Sequence, residues 1–220
     1  KGSIQRFSDL PAQAFDGFQI EIIGEKASDS DNYYVEYEQG DDAVGVWKET
    51  VGVGADNTIN PATMPWKLVR NSDTSFTLEP NTWGSRLAGD LISAPEPSFI
   101  GRKLNDVFFH RNRFGVIADE NVIFSRSGKY FEFYPETVTT LLATDPIDVA
   151  VSHTKVSILR HAIPFNETLL LFSDQTQFTL SAGDSLTPET VSINQTTEYE
   201  SSLQAEPVGA GEYVYFATNR

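Results

Sequence analysis

The amino-acid sequence predicts an all-β protein built from short antiparallel strands. Two observations carry this prediction. Apolar and polar residues alternate with a period of two in many short runs, which is typical of strands with one buried face. Phe and Tyr are abundant, at 15 and 8 of 220 residues, and aromatic side chains suit pleated surfaces.

Residues 1–95 are predicted to form a small antiparallel β module. In the run YYVEYE, the alternation places Tyr33, Val35 and Tyr37 on an inner face and two glutamates on the outer one. Strict alternation of this kind indicates half-buried strands with turn-rich segments between them. The same pattern recurs in FQIEI, GVWKET, WKLVR and SFTLE.

The segment LISAPEPSF contains the predicted domain boundary. Pro95 and Pro97 cannot donate to a strand ladder and they stiffen the backbone, so a second domain is predicted over residues 96–220. Its strands are richer in apolar residues, and short polar connections predict a meander of hairpins. A short helix competes only in PETVTTLLATD, where Pro135 is placed to open it.

Two hairpins in this second region share one layout. Residues 114–128 and 169–183 each run from an apolar strand through a turn opened by Asp119 or Asp174, then through a second strand to a glycine. Residues 213–219 fit the first strand and turn of a third copy. Any two hairpins of an all-β chain align to some degree, but true repetition is the favoured interpretation.

The spacing of these copies is typical of propeller blades, which recur at roughly 40–50 residues. Each blade is expected to add a strand before the hairpin and a strand after it, as DVFFH and YFEFY do for the first copy. The predicted fold is therefore a small antiparallel module followed by propeller-like hairpin blades. The chain begins without Met and stops just past an apolar strand, so we expect an incomplete propeller within a piece of a longer protein.

The formal net charge of −15, from 31 acidic and 16 basic side chains, disfavours tight binding to nucleic acid or anionic lipid. An acidic wall past which DNA slides is compatible with that charge. The absence of Cys excludes disulfides, thiolate zinc sites and a Cys nucleophile. No apolar run approaches the ~20 residues of a membrane span, and no membrane partner is predicted.

No cluster with the spacing of a catalytic, cofactor or metal site emerges from the sequence. None of His110, His153 and His161 has another ligand at metal-binding spacing. The run DSDNYY begins like a calcium loop, but Tyr34 stands where that loop needs Gly and Gly40 where it needs Glu. We therefore predict no catalytic residue, no cofactor and no metal site, and a protein that is not an enzyme.

An arginine cluster is the predicted structural or assembly site. Arg111 and Arg113 share a tight turn, Arg126 follows in the same meander, and Asp145 and Asp148 are the predicted partners. Guanidinium groups clamp carboxylates through paired hydrogen bonds. Within one chain such ion pairs would link neighbouring blades, and between copies of the chain they would be assembly contacts. The intramolecular version is favoured.

Residues 97–135 and 145–199 closely resemble the tail tubular protein B, or tail nozzle protein, family of short-tailed podovirus phages. The most specific segments are NDVFFHRNRFG and DPIDVAVS, and VWKET and TMPWKLVR fit the same family in the same order. The resemblance implies a structural virion protein of the tail. It implies a homo-hexameric ring, contact with the adaptor ring of tail tubular protein A, and genomic DNA that passes through the channel without tight binding. No catalytic residue carries over from that family.

Two alternatives stay open at the level of sequence. A carbohydrate-binding or glycan-degrading tail module would use Trp47, Trp66 and Trp83 to stack on sugar rings, although tryptophans in β proteins more often pack. A host propeller acquired as an adhesion module is the second alternative.

Overall fold

The computed structural model describes residues 2–24, 32–40, 44–152, 157–202 and 204–218. In these residues, β-strands carry nearly all of the regular structure, and the predicted all-β class is confirmed. The sheets are not closed into a ring within the described residues, so the propeller stays a prediction. Among the same residues, no helix combines the length and apolar character that crossing a membrane requires.

Contacts between Cα atoms divide the chain into two compact units. The first unit is Lys1–Glu96 with Phe133–Leu142, and the second is Pro97–Glu132 with Ala143–Arg220. The first crossover follows Glu96, inside the proline-containing segment. The short stretch 133–142 groups with the first unit although it lies far from it in sequence. A division into two consecutive domains stays a prediction.

The first unit contains a mixed four-stranded sheet in the order β1-β2-β3-β4, with β1 parallel to β2 and the other pairs antiparallel. Val35 and Tyr37 are each only 1% exposed, which confirms their predicted inner face, and Tyr33 is half-buried. The strands of this sheet are β1 (Ser3–Ile4), β2 (Phe18–Ile22), β3 (Tyr33–Gln39) and β4 (Gly45–Thr50). Among the described residues, this unit also contains 3-10 helices at Phe7–Asp9 and Pro61–Thr63.

A separate hairpin of the first unit pairs β5 (Trp66–Ser72) with β6 (Ser75–Pro80). Leu68 lies opposite Leu78, and the period of two places their face together with the side chains of Trp66 and Phe76. These four apolar side chains are between 53% and 65% exposed. Within the described residues, no third strand joins this hairpin.

The second unit contains two antiparallel four-stranded meanders and a short hairpin. The first sheet consists of β7 (Leu104–His110), β8 (Arg113–Ala118), β9 (Asn121–Phe124) and β10 (Ile147–Ala150). The second sheet consists of β11 (Leu159–Phe165), β12 (Thr168–Ser173), β13 (Gln177–Ser181) and β14 (Ser192–Thr197). The hairpin pairs β15 (Val208–Ala210) with β16 (Tyr213–Tyr215).

The hydrophobic core of the second unit draws on both four-stranded sheets. The rings of Phe108 and Phe124 meet edge to face with their centroids 5.4 Å apart. Ile117, Leu171 and Leu180 are fully buried in the same cluster. Burying Phe and Leu side chains contributes about 1.5–3 kcal/mol each, so this cluster fixes how the two sheets pack.

The two sheets repeat one another at a spacing of 55 residues. Phe108 pairs with Gly115 in the first sheet, and Ile163 pairs with Leu170 at the same step of the second. Each first strand also shifts register near its start, between Leu104 and Asp106 in β7 and between the corresponding residues of β11. The first strands β7, β11 and β15 lie beside one another in sequence order.

One expectation about this region was wrong, and the open alternative of a short helix is settled. The strand that completes the first sheet is β10, which pairs with β9, whereas the run YFEFY forms no strand and lies in turn and irregular backbone. The run PETVTTLLATD forms no helix. Its backbone is held instead by Glu49, whose carboxylate accepts hydrogen bonds from the Val138 amide at 2.8 Å and the Thr137 hydroxyl at 2.5 Å. A tertiary partner thus replaces the intrahelical bonds.

Candidate functional site

Arg113 is the centre of the predicted arginine cluster and is fully buried at the start of β8. Its guanidinium donates to the main-chain carbonyls of Ser125 at 2.8 Å, Asp145 at 2.6 Å and Ala143 at 2.8 Å. A further bond reaches Leu186, which follows β13 of the neighbouring sheet, at 3.2 Å. The guanidinium thus bonds main-chain carbonyls of irregular connections, and the predicted partner Asp145 acts on it through its charge.

Burial lowers the pKa of Arg113, and the negative charge of Asp145 acts in the opposite direction. Asp145 is itself only 2% exposed, so the two charges offset each other inside the unit. Removing one member of such a buried pair takes away charge compensation that the other receives, which is costly. Arg113 and Asp145 therefore act together in holding the segment 143–145 against β8.

The remaining members of the cluster also make contacts of their own. Arg126 donates to the Glu132 carboxylate at 2.7 Å, a partner that the sequence did not indicate. Asp148 accepts from the Ser98 amide at 2.7 Å and from the Asn121 side chain at 2.9 Å, so neutral donors satisfy it. An assembly role for these residues stays a prediction.

Arg111 lies at an open cavity of about 570 Å³ in the second unit. Its guanidinium donates to the Gly183 carbonyl at 2.8 Å and approaches the Glu167 carboxylate at 3.9 Å. Polar side chains that include Asn166, Glu167 and Asp184 line the cavity. The cavity is therefore an open, polar groove lined by connections between strands, and Arg111 is the basic residue among its lining residues.

The turn aspartates of the two repeated hairpins make matching contacts. Asp119 pairs with Arg102 at 3.0 Å, and Asp174 pairs with Arg160 at 3.0 Å. The main-chain carbonyl of Asp119 accepts from the Leu159 amide at 2.8 Å. The carbonyl of Asp174 likewise accepts from the amide of Ser201 at 3.0 Å. Each turn thus contacts the segment that begins the next unit of the repeat.

The histidines are in different settings. His110 ends β7 and is 6% exposed, and burial together with the charge of Arg111 lowers its pKa. His153 lies outside the described residues. His161 in β11 is half-buried. One of its ring nitrogens, one carboxylate oxygen of Asp106 and one carboxylate oxygen of Glu206 all lie within 4.8 Å of one another.

Sequence reasoning missed the grouping of Asp106, His161 and Glu206 because its members are far apart in the chain. Asp106 lies on β7, His161 on β11, and Glu206 precedes β15. Spacing within one motif carries no sign of such a group. The signal that was available is the repeat itself, since Asp106 and His161 are 55 residues apart, as the two hairpins are.

The aspartates of the run DSDNYY lie outside the described residues. Tyr34 from the end of that run belongs to β3, and its hydroxyl donates to Glu21 at 3.3 Å and to Asp90 at 3.2 Å. Burial, followed by the charges of Glu21 and Asp90, raises the pKa of Tyr34 to about 12. The tyrosine is thus a neutral donor between two acids of the first unit.

The three tryptophans lie in three environments. Trp47 donates its indole N–H to the Pro11 carbonyl at 2.9 Å and packs edge-on against Tyr37. Trp83 is 8% exposed and packs near Phe133. Trp66 projects from the exposed hairpin. Among the described contacts, no two of these indoles meet to form a stacking platform for a sugar.

An exposed aromatic group lies on the second unit. The ring of Phe109 packs against Phe114 with centroids 5.5 Å apart and against Tyr130 at 5.0 Å, and Phe131 lies 6.2 Å from Phe114. Phe109 is 55% exposed. Clustered exposed aromatics of this kind are commoner at interaction surfaces than elsewhere on a protein surface.

Comparison with known proteins gives two matches. The family model described as "Bacteriophage nozzle protein" matches residues 1–220. A curated relative, the tail tubular protein gp12 of Escherichia phage T7, is 44% identical over 216 residues, which are 98% of this chain and 27% of that protein. The chain therefore spans about a quarter of the length of this relative.

Proposed function

Because the chain belongs to the bacteriophage nozzle protein family, we propose that it is a structural component of the virion tail and forms part of the wall of a DNA conduit. The observation that carries this proposal is the family match along the whole chain. Its role is mechanical, and no catalytic step is assigned to it.

The packing of the second unit supports a mechanical role. Two four-stranded sheets share one core, and Arg113 ties the connections around them through buried hydrogen bonds. Interiors packed in this way have low compressibility and transmit strain. A wall that must carry force between neighbours needs this property.

The charge of the chain supports a conduit through which DNA moves. Affinity for DNA depends on the neutralisation of phosphates by Lys and Arg, and here acidic residues outnumber basic ones by 31 to 16. A negative wall repels phosphate, so DNA does not stall on it. The proposal includes genomic DNA as a passing partner that is not tightly bound.

We further propose that the whole protein assembles as a hexameric ring that contacts the adaptor ring of tail tubular protein A. This part of the proposal rests on membership of the nozzle family, whose model matches the chain from residue 1 to residue 220. The exposed aromatic group around Phe109 is a surface of the kind that subunit contacts use.

Native mass spectrometry of the whole nozzle protein, alone and with the adaptor, tests the assembly. Six copies and a complex with the adaptor are expected, and a stable monomer that ignores the adaptor would contradict the proposal. Gold-labelled antibodies against this chain test its location: label is expected on the tail of purified virions. Label confined to the head would be incompatible with a nozzle.

DNA passage is tested by gel mobility with duplex DNA at about 50 mM salt, where non-specific contacts are strong. No retardation is expected at micromolar protein, whereas tight retardation would exclude a non-binding wall. A glycan-directed function is not favoured, because the three tryptophans lie in separate environments. Release of sugars from host capsule by this chain would reverse that judgement.

A further inference from the structure

We propose that Asp106, His161 and Glu206 bind a zinc ion that ties together the starts of three successive units of the repeat. One ligand atom from each side chain lies within 4.8 Å of the other two. The three residues come from β7, β11 and the segment before β15, which lie beside one another. A bound ion would therefore link elements that the chain itself joins only through long connections.

The repeat explains why these side chains converge. Asp106 and His161 each stand directly after the register shift of their strand, at equivalent places 55 residues apart. Bulges re-aim side chains and are frequent beside functional sites. Glu206 follows His161 by 45 residues and precedes β15 by two. The three ligands thus occupy similar positions in three consecutive units.

The carboxylate of Asp106 is already held in place by the fold. One oxygen accepts from the Val107 amide at 2.8 Å, and the other accepts from the Ala162 amide of β11 at 2.9 Å. A carboxylate oxygen has two lone pairs, so each oxygen keeps a position for a metal. Hydrogen bonds of this kind orient metal ligands and commonly raise affinity.

The ligand set favours zinc over the hard cations. Zinc accepts imidazole nitrogen and carboxylate oxygen, whereas Mg²⁺ and Ca²⁺ take oxygen ligands. Zinc–ligand bonds of about 2.0–2.2 Å would draw the three side chains closer to one another. Asp106 and His161 are half-buried and Glu206 is exposed, so solvent reaches the site and water completes the tetrahedron.

The test is calorimetric titration of the whole, tag-free chain with zinc chloride after treatment with a chelator. We expect one equivalent of zinc to bind. His161→Gln and Glu206→Gln should each weaken binding by about tenfold or more, since loss of even an outer partner typically costs 10–100-fold. Glu189→Gln removes an exposed acid outside the group and should leave the affinity unchanged. Zinc should also raise the melting temperature of the parent chain but not that of His161→Gln.

Three results would overturn the proposal: no binding of zinc, binding that survives His161→Gln, or equal weakening by Glu189→Gln. The last two would mean diffuse attraction to an acidic surface. Tighter binding of calcium than of zinc would also refute the assignment. If His161→Gln fails to fold, as shown by circular dichroism, Glu206→Gln decides, because that exposed side chain is removed without disturbing packing.

Discussion

The sheets β7–β10 and β11–β14 have the same order of antiparallel strands, but the connection that leads to the fourth strand differs between them. In the first sheet, residues 125–146 intervene between the third and fourth strands, whereas residues 182–191 suffice in the second. The first sheet has a buried arginine, Arg113, facing His110, and the second has Thr168 facing Phe165 at the same step of the register. The strand order is thus common to both sheets, and the length of the connection determines which polar groups each sheet buries.

Replacing Arg113 should cause the largest loss of stability among the substitutions that test this difference between the sheets. Arg113→Met removes the donor to several buried carbonyls and the positive charge beside Asp145, so we expect a loss of about 3 kcal/mol or more in the free energy of unfolding. Urea denaturation measures it. Thr168→Val at the equivalent position is the matched control and should cost about 1 kcal/mol or less, because Thr168 bonds only a local carbonyl. Equal costs would mean that the long connection does not depend on Arg113.

The next largest effect concerns the pair Phe108 and Gly115, whose counterparts are Ile163 and Leu170. A Cβ at Gly115 would overlap the ring of Phe108, so Gly115→Leu should destabilise by about 2–3 kcal/mol through overpacking. Adding Phe108→Ile transplants the pair of the second sheet, and we expect it to recover part of the loss. A double variant no more stable than Gly115→Leu alone would show that the two sheets do not pack these positions equivalently.

A smaller effect is expected on the pH dependence of stability, to which His110 of the first sheet contributes. Because the pKa of His110 is lowered in the folded state, the unfolded chain binds the proton more readily, and stability should fall as the pH drops below the unfolded value of about 6.5. His110→Phe introduces the aromatic residue of the second sheet. Urea midpoints between pH 5 and 7.5 should then vary less with pH than those of the parent chain. An unchanged slope would assign the dependence to another group.

The smallest effects are expected at the turn aspartates. Asp119→Asn and Asp174→Asn each remove one partly exposed ion pair, with Arg102 or Arg160, and such pairs contribute about 0–1 kcal/mol. Thermal melting at low and high salt should show small and similar losses for the two variants, and salt should reduce both. A large loss at only one turn would break the equivalence of the two hairpins.

The sequence predicted the strands well because each carries its signal locally. Alternation in YYVEYE predicts the burial of Val35 and Tyr37 without any knowledge of their partners. The run YFEFY alternates too, yet it forms no strand, because the fourth place in its sheet is taken by β10 from farther along the chain. Strand pairing is settled by competition between distant segments, which one stretch of residues does not encode.

The partners of charged side chains were the least predictable feature. Arg113 was expected to meet carboxylates, and the charge of Asp145 does act on it, but its hydrogen bonds go to main-chain carbonyls of irregular connections, which a sequence does not mark. The grouping of Asp106, His161 and Glu206 was missed for a related reason. Its members follow the repeat spacing of the fold, which spacings within one motif do not contain.

The hairpin β5–β6 has a consequence for handling the protein. A lone two-stranded ribbon is marginally stable in water, and this one displays Trp66, Leu68, Phe76 and Leu78 to solvent on one face. Exposed apolar strands with open edges are natural templates for aggregation. We therefore expect this hairpin to limit the concentration at which the purified chain stays in solution more than the well-packed sheets do.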